Sequence, residues 1–222
     1  MSEEELIIED IIKSIPSYCQ GNQLKVFTFI YYKIAHILKY DDYAAKLVDL
    51  HLGGYDRERA EDTIINPAST IKCLTKGRAL CSGYAAVLEI ILNKVGIPTK
   101  VITSSQCHKW NQVCIDGKWY NCDLTNDRDF IINGLKCPHF LTSNEDDCNF
   151  RLRPPTCDYY KCDETIDEKL QEYLITEVRD YFEAQQKLQN IDEQRQYNIR
   201  SKIGFIEKIK NKLQNIKGVK KR

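Results

Sequence analysis

Between residues 24 and 38 the chain is nearly continuous apolar, and Val26, Phe27, Ile30, Ile34, Ile37 and Leu38 predict a buried helix. Residues 41–69 are more polar and read as one or two helices and a loop ending at Asn66-Pro67. A second apolar helix is predicted over residues 82–95, where Ala85, Leu88, Leu92 and Val95 share a face. Gly96 suits its C-terminal cap, and Pro98 stops continuation. Shorter apolar-rich runs at 99–103, 109–115, 118–124 and 139–142 read as strands. This order predicts an α+β fold, with helices packed against a mainly antiparallel sheet.

After this alternation the pattern changes. Pro154-Pro155 marks 151–157 as a boundary linker, which divides the chain into a domain over 1–150 and a helical extension over 151–222. Residues 156–203 contain neither glycine nor proline. Leu170, Leu174, Val178, Tyr181, Ala184, Leu188 and Ile191 recur at spacings of three and four, which predicts a long helix. A second stripe, Ile199, Ile203, Ile206, Ile209, Leu213 and Ile216, continues past Gly204. Residues 200–222 carry nine basic side chains against one acidic, Glu207. Such a segment suits a helix packed on the domain or a neighbour, or a basic amphipathic helix on an anionic membrane or acidic protein partner.

The two central strands meet at Asp116-Gly117, a dipeptide favoured in two-residue hairpin turns. With that turn, Ile115 faces Lys118, Cys114 faces Trp119, and Trp110 faces Asp123. Side chains alternate along a strand, so His108, Trp110, Gln112 and Cys114 share a face with Trp119, Asn121, Asp123 and Thr125. His108 and Asp123 are then diagonal neighbours, whereas a one-residue slip would separate them. Cys81 stands just before the helix at 82–95. A helix start and a neighbouring imidazolium both stabilise a thiolate, the reactive form of cysteine. A histidine oriented by an aspartate and facing a cysteine at a helix start is the arrangement of a thiol nucleophile with its base and orienter. Gly83 lets a substrate or a neighbouring strand approach the backbone closely. Asp123 alone also suits a turn or cap, Trp110 and Trp119 suit core and hairpin packing, and His36, His51 and His139 suit structural or solvated roles.

At these residues the chain resembles the transglutaminase-like superfamily, which includes transglutaminases, peptide N-glycanases and bacterial protease-like proteins. GRALCSGYA, HKWNQV and DGKWYNCDLTND are similar to its three ordered motif blocks. Tyr40-Asp41 upstream and HFLTSNED, residues 139–146, resemble flanking parts of bacterial members, so the likeness runs over roughly 26–147, with its motif core at about 70–147. It implies a papain-like core whose catalytic triad is Cys81, His108 and Asp123. Lys109 stands where a small residue is usual, and Asn126 where an aromatic is usual.

Composition narrows the partners. Thirty-two basic and 32 acidic residues cancel, so no global field favours nucleic acid, and none is expected. No apolar run reaches the ~18 residues of a membrane span, and the acidic start is unlike a signal peptide. Ten cysteines without such a signal point to reduced thiols in the cytoplasm. There is no CxxC pair, Cys157 and Cys162 lack a partner pair, and Cys107, Cys114 and Cys122 lack ligand spacing, so neither a metal nor a cofactor is expected. The expected chemistry is attack of Cys81 on a protein or peptide amide, through a thioester released to water or an amine. The competing expectation is an idle binding module that acts through its C-terminal helices.

Overall fold

The computed structural model describes residues 1–50, 59–104, 108–147 and 159–219, and the side chains of 198–199 and 201–219 fall outside the description. His51 and the linker at 151–157 therefore lie outside the described residues, as do the side chains of nearly all of the second apolar and basic stripe. Two compact units divide the chain, Met1–Val178 and Arg179–Arg222.

Two helices form the centre of the first unit. Helix α1 (Glu3–Lys13) precedes them and opens with a capping box, in which Ser2 Oγ accepts from the Glu5 N–H and the Glu5 carboxylate accepts from the Ser2 N–H. The Ser-x-x-Glu spacing of this helix was open to reading in the sequence. Helix α2 (Gln23–Ile37) is capped by Asn22, whose Oδ1 accepts from the Lys25 N–H. Its residues Phe27, Phe29, Ile30, Tyr31, Ile34 and Ala35 are all buried, as a helix apolar on nearly every side requires. A two-residue strand β1 (Lys39–Tyr40) and helix α3 (Asp42–Asp49) follow. Asn66-Pro67 opens a helical turn instead of ending a loop. Proline lies in the first turn of α4 (Asn66–Ser69), where its missing N–H costs no helical hydrogen bond. Helix α5 (Cys73–Lys76) ends at Gly77, with φ 65°, and leads into β2 (Arg78–Ala79), which pairs in parallel with β1.

Helix α6 (Cys81–Lys94) buries Tyr84, Val87, Leu88, Ile91 and Leu92 and packs on the sheet. At its far end the Asn93 side chain donates to Thr99 O and accepts from Thr99 N, both at 2.9 Å, which fixes the helix to the first strand. The sheet has the order β3 (Thr99–Thr103), β4 (Lys109–Ile115), β5 (Lys118–Cys122), antiparallel throughout. Asp116 and Gly117 have φ of 49° and 81°, the two positive values a type I′ turn needs. Ile115 faces Lys118 and Cys114 faces Trp119, the register counted from the turn.

The ladder closes at Asn111 and Cys122, one pair short of Trp110 and Asp123. Asp123 instead begins a helix that the sequence pattern did not announce, α7 (Leu124–Ile132), which packs on α2. The run at 139–142 is likewise no strand but one bridge, Asn121 to Thr142, with reciprocal hydrogen bonds of 2.9 and 2.8 Å. Leu141 has φ 54°, and this left-handed conformation turns the chain out of an extended run. Phe140 still reaches the core, with its ring 5.3 Å from that of Phe27 and 5.4 Å from that of Tyr31.

Residues 159–167 lie along the sheet. Gln112 donates to Tyr160 O at 2.9 Å and accepts from Tyr160 N at 2.7 Å, while the Tyr160 ring stacks on Trp119 at 3.8 Å. Helix α8 (Glu168–Val219) starts within the first unit, where Leu174, Ile175 and Val178 are buried and Gln171 donates to Cys137 O. The helix is continuous across Gly204. In the second unit Leu188 and Ile191 are exposed. Among the described residues no helix is long and apolar enough to cross a membrane.

Candidate active site

Cys81 is the first residue of α6, preceded by Leu80 in extended conformation. Its position is fixed by the neighbouring turn: the Leu80 N–H donates to Ala68 O at 2.9 Å, and that same oxygen lies against Gly83. A Cβ at Gly83 would stand 2.2 Å from Ala68 O, so the close approach expected there is made by the carbonyl of a helical turn. His108 precedes β4 and is held on both sides of its backbone: its N–H donates to Ser104 Oγ at 3.0 Å, and its C=O accepts from the Ser104 N–H at 2.8 Å. The imidazole lies near-parallel to the Trp110 ring, 6.2 Å away.

Asp123 is 1% exposed, and its two oxygens do different work. Oδ1 accepts from the Asn126 N–H at 3.2 Å and caps α7, while Oδ2 accepts from His108 Nε2 at 2.6 Å and from Asn126 Nδ2 at 2.8 Å. The cap therefore fixes the carboxylate that meets the histidine. With Nε2 engaged, Nδ1 is the ring nitrogen left for Cys81, whose thiol is hydrogen-bonded to His108.

The electrostatics follow from these contacts. Burial pushes the Cys81 thiol up, but the hydrogen bonds from His108 and from the Lys109 backbone N–H outweigh it, and the net shift is downward. Burial by contrast pushes the thiols of Cys19, Cys73, Cys122, Cys137 and Cys162 up, Cys73 and Cys162 to about 12. His108 moves the other way from an ordinary buried imidazole. Burial lowers it, yet the bonds to Asp123 and Cys81 raise it to about 10. The arrangement favours a thiolate beside an imidazolium.

A cleft of about 570 Å³ opens beside His108, with Lys39, Tyr40, Arg78, Asn126 and Arg128 on its walls. Tyr40 is close enough to feel the Cys81 charge, which together with burial raises its phenol.

Behind Asp123 lies a second buried carboxylate that the sequence reading did not single out. Asp127 accepts from the His139 N–H at 2.9 Å and from the Tyr31 hydroxyl at 2.9 Å, and burial pushes it up to about 7. The His139 carbonyl in turn accepts from the Asp123 N–H at 3.2 Å, and its ring lies 3.5 Å from Asp147. His139 thus contributes to the backing of Asp123 through its backbone. The signal available in the sequence was the Asp123–Asp127 spacing of four, one helical turn. Asn126 was also visible, but only as a departure from the family pattern. His36 stacks on Tyr32 and bonds its backbone carbonyl, away from these groups. Among the described residues no three His, Cys, Asp or Glu side chains are grouped to hold a metal ion.

Residues 29–124 match the model of the transglutaminase-like superfamily, a span that contains Cys81, His108 and Asp123. The chain carries a transglutaminase-like domain there. Among solved structures, the crystal structure of a TGase aligns at 20% identity with a TM-score of 0.44, over 56% of this chain and 33% of that one. No curated protein matches.

Proposed function

We propose that this domain is a cysteine-nucleophile enzyme that cleaves or transfers amides, with Cys81 as nucleophile, His108 as base and Asp123 as orienter. The observation that carries the reading is the 2.6 Å contact of His108 Nε2 with a buried carboxylate, on the opposite side of the ring from a thiol whose pKa is lowered. In the acylation step the Cys81 sulfur adds to the carbonyl carbon of a protein or peptide amide, and the carbonyl oxygen becomes an oxyanion. The backbone N–H of Cys81, at a helix start with its positive dipole end, suits that oxyanion. Collapse breaks the C–N bond, the His108 Nδ1 proton passes to the departing amine, and a thioester remains. Water or an incoming amine then attacks the thioester, His108 takes its proton, and the thiolate departs. Asp123 keeps its negative charge and holds the imidazole throughout. The need for a reduced Cys81 supports a cytoplasmic setting.

Mass-mapped labelling of native protein with limiting iodoacetamide at pH 6 tests the reading. Cys81 should be alkylated first among the ten cysteines, and Cys81→Ser should abolish both this labelling and any amide turnover. Even labelling across accessible thiols would instead favour an idle binding module of the same fold.

A further inference from the structure

The charge lining the cleft beside His108 is uneven. Arg128 donates Nε–H to Leu38 O at 2.7 Å and pairs through Nη1 with Asp129 at 2.5 Å, so its charge is matched. Lys39 and Arg78 are different. They are register partners in the parallel β1–β2 pair, so their side chains leave the same side of it, and both are exposed and line the cleft. Neither has a hydrogen-bond or ion-pair partner for its side chain among the described residues. Against these two cations the cleft wall sets one further carboxylate, Asp42, which leaves an excess of one positive charge. The pair is also well placed. The Lys39 N–H donates to Gly77 O and the Asp41 N–H to Ala79 O, which pins both strands, and Arg78 stands three residues before Cys81.

We propose that this cleft is a subsite for a carboxylate that the substrate carries next to the amide attacked by Cys81, with Lys39 and Arg78 as its partners. The inference rests on the reading of Cys81 as the nucleophile. A lysine and an arginine side by side supply a point charge and a planar fork of donors, and a carboxylate accepts from both. The single excess charge suits a monoanion. In an amide substrate that group is an acidic side chain beside the reacting bond or a free C-terminal carboxylate.

Four small electrophiles, used on the full chain, separate these cases. N-chloroacetylglycine against its glycinamide counterpart presents or removes a terminal carboxylate. N-chloroacetylglutamic acid α-amide against the glutamine α-amide does the same for a side-chain carboxylate. The readout is the ratio of charged to uncharged alkylation rates at Cys81, mapped by mass spectrometry, in wild type and in Lys39→Ala, Arg78→Ala and the double variant. Wild type should favour the charged member of at least one pair by about tenfold, the scale of one charge-assisted hydrogen bond. The double variant should lose that preference, while Lys94→Ala, the same charge change as either single variant but at the far end of α6, should keep it. Preference within the glycine pair alone assigns a C-terminal carboxylate, and preference within the glutamate pair alone assigns an acidic side chain. The same ratio in wild type and double variant would overturn the subsite and leave the nucleophile standing. If uncharged reagents do not single out Cys81, the nucleophile falls and the subsite with it.

Discussion

Replacing Asp123 by Asn separates two jobs that one carboxylate performs. Asparagine ranks with aspartate as an N-cap, so the Oδ1 bond to the Asn126 N–H should survive, with only the charge–dipole part, about 0.3–1 kcal/mol, given up. The other oxygen becomes an amide nitrogen facing His108 Nε2 and Asn126 Nδ2, which both donate to Oδ2 in wild type. His108 relieves this only by giving up its Nε2 proton, which leaves a neutral ring with its one proton on Nδ1, pointing at the thiol and unable to take the thiol proton. A buried charge-assisted hydrogen bond is worth about 1.5–3 kcal/mol, and the wrong tautomer in an analogous triad lowers turnover on the order of 10⁴-fold. Asp123→Ala removes the cap as well and should cost about 1 kcal/mol more than the Asn variant. The pH dependence gives a further check. The folded-state pKa of His108, about 10, lies above its ordinary value. Its contribution to stability is therefore complete below the unfolded pKa near ~6.5 and lost as pH rises through about 10. Urea unfolding at pH 6, 8 and 10 should show the gap between wild type and Asp123→Asn shrinking with pH, while the extra cost of Ala persists. In parallel, iodoacetamide alkylation of Cys81 at pH 6 should slow in the Asn variant. Wild-type alkylation there, or Asn and Ala variants equally unstable at pH 10, would refute the division of labour.

Two further substitutions probe the supports of the site. Gly83→Ala puts a Cβ 2.2 Å from Ala68 O, the acceptor for the Leu80 N–H. Overpacking and a strained buried hydrogen bond should outweigh the gain of ~1 kcal/mol in helix propensity, for a net loss of about 2–4 kcal/mol. A urea midpoint at or above that of wild type speaks against this, and Cys81 alkylation should slow as the helix start shifts. Asp127→Asn tests the buried carboxyl that burial pushes up to about 7. A raised carboxyl contributes stability below its ordinary value of ~4, and that contribution is lost as pH rises through the folded value. Relative to wild type the Asn variant should therefore fare better at pH 8 than at pH 5, by at least about 1 kcal/mol. A pH-independent difference between the two proteins counts against a buried, titrating Asp127.

Legibility in the sequence tracked how regular each element is. Helices α2 and α6 were readable because their apolar positions repeat over several turns, and the β4–β5 register was readable because Asp116-Gly117 fits one turn type closely. Strands β1 and β2 have two residues each, too few to show any period. Helix α7 was hidden because its sequence, LTNDRDFII, has little amphipathic contrast and continues what looked like a strand. Its start was nonetheless written in Asp123, for which a turn or cap was one of the expected roles, while Asn126 stood out only as a departure from the family pattern.

All three residues proposed for catalysis stand at element ends. Cys81 opens a helix, His108 precedes a strand, and Asp123 ends one strand's path and caps the next helix. At such junctions the side chains are released from the ladder and its fixed alternation, and the backbone has donors left for local contacts. Asp123 shows the consequence. Strand alternation placed it correctly on the His108 side, yet its orientation comes from the cap on α7 and the backing of His139, which alternation does not encode. A reading as either cap or triad member was therefore too narrow, because the cap is what aims the carboxylate. The same logic applies to Asn126. Where an aromatic is usual it supplies two donors, one to each oxygen of Asp123, so the departure from the family pattern adds to the hydrogen bonding of the carboxylate that meets His108.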